Sequence, residues 1–105
     1  MNPPTHSKDE TLGRLRESAG RIRSCGVSRL DLFGSLRRGD ARPDSDVDLL
    51  VEFVPGAKSY DNFFRLSLLL EEILGRRVEL VTRESLSPYI GPRILEDAEH
   101  VALGP

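Results

Sequence analysis

Residues 32–51, LFGSLRRGDARPDSDVDLLV, decide how this chain folds. An apolar run ends in a Gly34-Ser35 corner, and ten residues later Asp46 and Asp48 open a second apolar run. In an extended strand successive side chains alternate, so Val47, Leu49, Val51 and Phe53 share one face while Asp46, Asp48, Leu50 and Glu52 share the other. The two carboxylates therefore project together from Cα atoms about 6.6 Å apart, close enough to reach one cation. Hard oxygen ligands with room for water and phosphate suit Mg²⁺ or Mn²⁺ better than zinc. Gly34, lacking a Cβ, lets an anion approach the backbone or permits a positive φ. Ser35 adds a hydroxyl and an amide, and a short helix over residues 35–38 would turn free N–H groups to an anion, with Arg37 and Arg38 adding charge. The pattern is a phosphate site facing a metal site.

Working outward, residues 28–33 read as a strand with Leu30 and Leu32 toward the core and Asp31 exposed on the other face. The short return to the strand at 46–54 makes that pair antiparallel. Upstream, the first six residues hold two prolines and no periodic pattern, so residues 1–7 are expected to be a disordered terminus. Ser7 and Glu10 form a capping box, and Leu12, Leu15, Ala19 and Ile22 recur at helical spacing until Gly26. Arg14, Arg16, Arg21 and Arg23 are read as a solvated face of that helix. Downstream, Phe63, Phe64, Leu66, Leu70, Ile73 and Leu74 make a core-facing helical stripe closed by Gly75. Residues 77–82 form a third strand that carries Glu79 on the face opposite Val78 and Leu80, available to join Asp46 and Asp48. Pro88 and Pro92 suit first turns of helices, which leaves a final helix over roughly 92–102. Tyr89, Ile90, Ile94 and Leu95 fit either core or an apolar surface patch. The expected fold is α/β: a small mixed sheet of three strands flanked by helices, one domain over residues 8–105.

Composition limits the rest. The chain has 105 residues and a net charge of −2, and at that length a single domain without a separate substrate-binding domain is expected. Residues 1–45 carry a charge of +3 and residues 46–105 a charge of −5, an asymmetry too mild for strong nucleic-acid binding but able to steer a polyanion. Cys25 is the single cysteine, so no intrachain disulfide forms. His6 and His100 fit no zinc spacing. No apolar run reaches membrane-spanning length, and the polar start has no signal-peptide core, so a cytoplasmic chain without membrane attachment is expected.

Gly34-Ser35, the ten-residue gap and Asp46-x-Asp48 resemble the signature of the polymerase-beta-like nucleotidyltransferases. The fuller string, with Arg38-Gly39 and Ser45-Asp46-Val47-Asp48-Leu49, resembles its minimal branch, and the likeness continues through Arg77–Thr82 and Leu86–Leu95. The resemblance implies the polymerase-beta nucleotidyltransferase core. It implies that Asp46, Asp48 and Glu79 bind Mg²⁺ and serve catalysis, with Gly34, Ser35, Arg38 and Ser45 on the nucleotide, ATP. The third acid in similar enzymes is usually aspartate; here it is glutamate, one methylene longer. Minimal nucleotidyltransferases are commonly paired with a helical HEPN-domain ribonuclease toxin, and some neutralise it by moving AMP from ATP to a toxin tyrosine. The resemblance thus implies an antitoxin of that kind. Two other readings stay open: neutralisation by binding alone, and nucleotidyl transfer to a small molecule.

Overall fold

The computed structural model describes residues 2–42 and 44–104. Chain order is α1 (Lys8–Glu17), α2 (Ala19–Arg23), β1 (Val27–Phe33), α3 (Gly34–Arg38), β2 (Val47–Phe53), α4 (Tyr60–Leu74), β3 (Val78–Thr82), a 3₁₀ turn (Arg83–Ser85), α5 (Gly91–Asp97) and β4 (Glu99–His100). The sheet runs β3-β2-β1-β4. β1 lies antiparallel to β2, across a connection short enough for a return, whereas β2 and β3 are parallel. Parallel strands need a long crossover, and α4 supplies it. Leu66, Leu70, Ile73 and Leu74 of α4 pack with Leu12, Leu15 and Ile22 on the sheet face bearing Leu30, Leu32, Val47, Leu49 and Val51. Full burial of such side chains contributes about 1.5–3 kcal/mol each. It also fixes the strand phase, because a slip of one residue in β2 would drive Asp48 into this core. Among the described residues no helix is long and apolar enough to cross a membrane.

The mixed α/β architecture agrees with the sequence reading, and several details differ. The first helix breaks at Ser18, whose φ of −101° and ψ of 15° leave the helical region; Ser18 and Gly20 are poor helix interiors. The cap forms, since Ser7 Oγ accepts from Glu10 N at 3.1 Å, but the Glu10 carboxylate returns to His6 N at 2.8 Å, one residue before the cap.

The opening segment, expected to be disordered, lies along the end of α4. Asn2 N donates to Glu72 O at 3.3 Å and Thr5 N to Leu74 O at 3.1 Å. Thr5 is buried, with its hydroxyl 2.9 Å from that of Thr11. The cause is the set of carbonyls that every helix leaves unpaired in its last turn. Gly75 makes the crossing possible: a Cβ there would stand 2.1 Å from Asn2 O. Arg14, expected in solvent, joins the same closure by donating to Pro3 O and to Ile73 O, the latter at 3.2 Å.

Asp31, expected to be exposed, is buried, at 5% exposure. It sits 3.1 Å from Arg29 Nε and 3.4 Å from His100 Nδ1. The reason is the fourth strand that the sequence reading lacked. The final helix stops at Asp97, Ala98 is extended, and Glu99 and His100 pair with Leu32 and Asp31 along the open edge of β1. Lastly, the stripe on α4 is not all core, because Phe64 is 55% exposed. Tyr89 and Ile90 are exposed as well, which places that pair on the surface rather than in the core.

Candidate active site

β1 delivers the corner and β2 the acids, and antiparallel register sets Phe33 opposite Asp48. The next residue, Gly34, has φ of +79°, a left-handed backbone that L side chains avoid. A Cβ at Gly34 would stand 2.1 Å from Asp48 Oδ2 and 2.8 Å from its Cγ. The glycine therefore leaves space for the Asp48 carboxylate, and corner and acid touch. α3 begins at this glycine and is capped after Arg38 by Gly39, whose φ is 84°.

On the other side of β2, parallel register sets Glu79 beside Asp48, with strand axes about 4.8 Å apart. Asp48 is half-buried, whereas Asp46 and Glu79 are exposed. Burial, a hydrogen bond with Glu79 and the charges of Glu79 and Asp46 push the Asp48 carboxyl from 3.8 up to about 6, against a lowering by Arg38. The three predicted acids thus act on one another, and Arg38 is close enough to be felt.

This donor set fits a divalent cation. Crowded carboxylates that resist ionising together are stabilised by a positive charge among them. Among the described residues no three His, Cys, Asp or Glu groups stand as a ready cage. A closed cage is not what Mg²⁺ needs, since it commonly takes one or two carboxylates and keeps places for water and substrate phosphate.

The remaining predicted residues separate. Ser35 is half-buried on the first turn of α3 beside the corner. Arg38 lies on the same helix, its Nε 3.6 Å from Asp40 and its Nη1 3.9 Å from Asp97. Ser45 is a turn brace: its Oγ accepts from Arg42 N at 3.0 Å, and its own N–H donates to Arg42 O at 3.0 Å.

Two arginines that the sequence reading passed over matter here. Arg76 is buried and donates to Thr5 O and Arg42 O, each at 3.0 Å, and to Ser45 O. It fastens the loop that leads into Asp46. In sequence it follows the Gly75 stop and reads as an ordinary solvated turn residue. Arg93 on α5 lines a cavity of about 260 Å³ together with Phe33, Gly34, Arg38, Ile94 and Asp97. No local pattern could reveal that, because α5 reaches the corner only through the tertiary fold.

The sequence profile of the nucleotidyltransferase domain matches residues 12–101. A Methanocaldococcus jannaschii protein assigned as a protein adenylyltransferase is 43% identical over 76 residues, covering 72% of this chain and 81% of that one. The protein adenylyltransferase MntA of Thermococcus cleftensis is 42% identical over 78 residues, covering 72% and 76%. A solved structure assigned as a minimal nucleotidyltransferase superposes with a TM-score of 0.76 at 40% identity, covering 90% of this chain and 97% of that chain. A chain from the complex of a tri-AMPylated Shewanella oneidensis HEPN toxin with its MNT antitoxin has a TM-score of 0.61 at 17% identity, covering 87% and 71%. At that identity the likeness is one of fold alone. Corner, spaced acids, sheet order and close relatives agree: the chain belongs to the nucleotidyltransferase domain family, in its minimal branch, and is an enzyme of that kind.

Proposed function

We propose that this enzyme transfers AMP from ATP to a tyrosine hydroxyl of a HEPN-domain toxin and thereby acts as its antitoxin. The observation that carries the reading is Asp48, which abuts Gly34 and feels the charges of Glu79 and Asp46, an arrangement that supports a phosphate corner next to a cation site. The relatives named as protein adenylyltransferases support an adenylyl group as the group moved and a protein as the acceptor. The fold-level likeness to an antitoxin bound to its AMPylated toxin points to the same partner.

Asp46 and Asp48, with Glu79, would hold Mg²⁺, or Mn²⁺ in its place; when bound, the cation supplies a Lewis acid for the α-phosphate. Gly34 admits the phosphate chain to the backbone, and Ser35 donates its amide and hydroxyl to phosphate oxygens. Arg38 offsets the charge on the departing side. The tyrosine oxygen forms a bond to the α-phosphorus as the bond to the β-phosphate bridging oxygen breaks, and pyrophosphate leaves with that electron pair. Glu79, exposed on β3, stands where it can take the tyrosine proton. The short corner keeps these groups on adjacent strand ends, so little reorganisation accompanies the reaction.

The test is incubation of the purified toxin with this enzyme, MgATP and, in parallel, the D46N/D48N double variant. The wild type is expected to add one or more AMP masses to a toxin tyrosine and silence its ribonuclease, while the double variant leaves the toxin unmodified and active. If the toxin's mass never changes and the double variant still silences it, neutralisation is by contact and the transfer reading fails.

A further inference from the structure

β3 lies at one edge of the sheet, and the middle of its outer side is open. Arg77 O accepts from Val47 N at 2.9 Å, so Arg77, Glu79 and Val81 turn their backbone groups to β2, and Val78, Leu80 and Thr82 turn theirs outward. The two ends of that outer row are closed. Val78 N donates to a Glu71 carboxylate oxygen at 3.0 Å, and Thr82 O accepts from Ser85 Oγ at 2.8 Å. Between them, the Val78 carbonyl, both backbone groups of Leu80 and the Thr82 N–H have no hydrogen-bond partner among the described residues.

A bare edge on a short strand is by itself ordinary. Two observations set this one apart. The strand is held from beneath, because Val78 and Leu80 pack against the core, so its open groups form a fixed row. Its other face carries Glu79 level with Asp48, so a chain paired to this edge lies beside the acids, about 4.8 Å from β3. A second copy is a poor occupant: two β3 strands paired antiparallel about Leu80 would set each Arg77 opposite the other copy's Arg83, and like charges so placed are destabilising. Arg77 is exposed and, among the described residues, has no ion pair. It suits an acidic side chain on the incoming chain.

We infer that the open edge of β3 receives an extended segment of the acceptor protein, antiparallel to β3, and so presents the acceptor tyrosine to the acids. The assignment rests on the nucleotidyl-transfer reading above. Leu80 N–H and C=O exchange a pair of bonds with one residue of the segment, and the Val78 carbonyl and Thr82 N–H hold the residues two places to either side. Alternation then turns the residue level with Glu79 onto the face of the acids. A tyrosine there has its ring beside the Glu79 carboxylate and its hydroxyl leaning toward Asp48 on the next strand. The residue two places further along the same face stands level with Arg77, where an aspartate or glutamate fits. Main-chain bonds supply affinity for any extended sequence, and the tyrosine and the acid supply the selection. In a helical toxin the acceptor tyrosine therefore belongs to a loop or terminal segment that can extend.

The experiment has two arms. Amide exchange of isotopically labelled enzyme is followed with and without the purified toxin, in Mg²⁺ and the α,β-methylene analogue of ATP, whose carbon bridge prevents transfer. With toxin at ten times its Kd, about one tenth of the enzyme stays free, so exchange at Leu80 and Thr82 should slow about tenfold, while Glu79 and Val81, already bonded to β2, change less. In steady-state transfer from ATP, Arg77→Glu should raise the KM for toxin about fivefold through charge reversal at an exposed site and leave kcat and the KM for ATP unchanged. Transfer by an enzyme whose Leu80 and Thr82 amides stay unprotected overturns the edge assignment and leaves the transfer reading standing. Protection that rises with enzyme concentration in the absence of toxin gives the edge to a second copy and overturns the assignment as well. A toxin KM unmoved by Arg77→Glu overturns the selection of an acid. A toxin that is never modified overturns the transfer reading and this inference with it.

Discussion

Replacing Asp48 by Asn should make the protein more stable at neutral pH while removing its activity. The carboxyl titrates near 6 in the fold against an ordinary 3.8. Between those values the native state binds more protons than the unfolded chain, so stability falls as pH rises through this window. Above it, the ionised carboxylate is held against burial and against Glu79 and Asp46. A shift of that size corresponds to about 3 kcal/mol if fully expressed. Asp48 is only half-buried, and solvent screening reduces the figure to about 1 kcal/mol. In a domain of this length that moves Tm by about 4–8 °C. Thermal denaturation in EDTA, followed by circular dichroism, is therefore expected to show Asp48→Asn melting higher than the wild type at pH 7. The gap should narrow as pH falls from 6, and the two should converge only below about 3.8, where the carboxyl carries its proton in the folded and the unfolded chain alike. Excess Mg²⁺ should raise the wild-type Tm and leave the variant unmoved, because only the wild type keeps both strand carboxylates to bind it. An Asp48→Asn variant that melts lower than the wild type at pH 7, or a gap of constant size across pH, would refute the account of crowded charge at this position.

Two further substitutions test the supports of the site. Gly34→Val should destabilise the fold by about 2 kcal/mol through its left-handed φ and abolish MgATP binding as its Cβ displaces Asp48; urea unfolding with nucleotide titration checks this, and a folded variant with wild-type binding would show that the corner does not touch the acids. Arg76→Met should cost about 2 kcal/mol by leaving the buried Thr5 carbonyl and the part-buried Arg42 and Ser45 carbonyls without their donor, and amide exchange should rise over residues 39–46 more than across α4. Uniform exchange over both segments would mean that Arg76 does not hold the loop before Asp46.

How much of this was legible in the sequence depended on whether the cause was local. The strand phase at residues 47–53 could be read because alternation allows only one face to be buried, and that alone set Asp46 and Asp48 side by side. Glu79 was legible for the same reason, and the parallel register then placed it next to Asp48 rather than merely on the same side. Asp31 was misread because an aspartate on a strand is exposed unless something covers it, and the cover is β4, drawn from residues 99–100, far along the chain. The place of the opening segment was illegible on similar grounds: its prolines describe only its own lack of periodicity, whereas its contacts are with carbonyls left open at the end of α4. Arg76 and Arg93 were invisible because the surroundings of each are set by tertiary neighbours.

These long-range pieces have one effect in common. Arg76 ties the opening segment to the loop before Asp46, while Glu99 of β4 sits 3.1 Å from Lys8 of α1 and 3.2 Å from Arg37 of α3. The segment before α1 and strand β4 therefore brace the two halves of the candidate site, one next to the loop before Asp46 and the other next to α3. A chain this short has a modest core with which to make a catalytic geometry rigid. It gains that rigidity where the segment before α1 and strand β4 hold the loops that carry the chemistry, so the residues least readable from sequence are the ones that hold the readable motif in register.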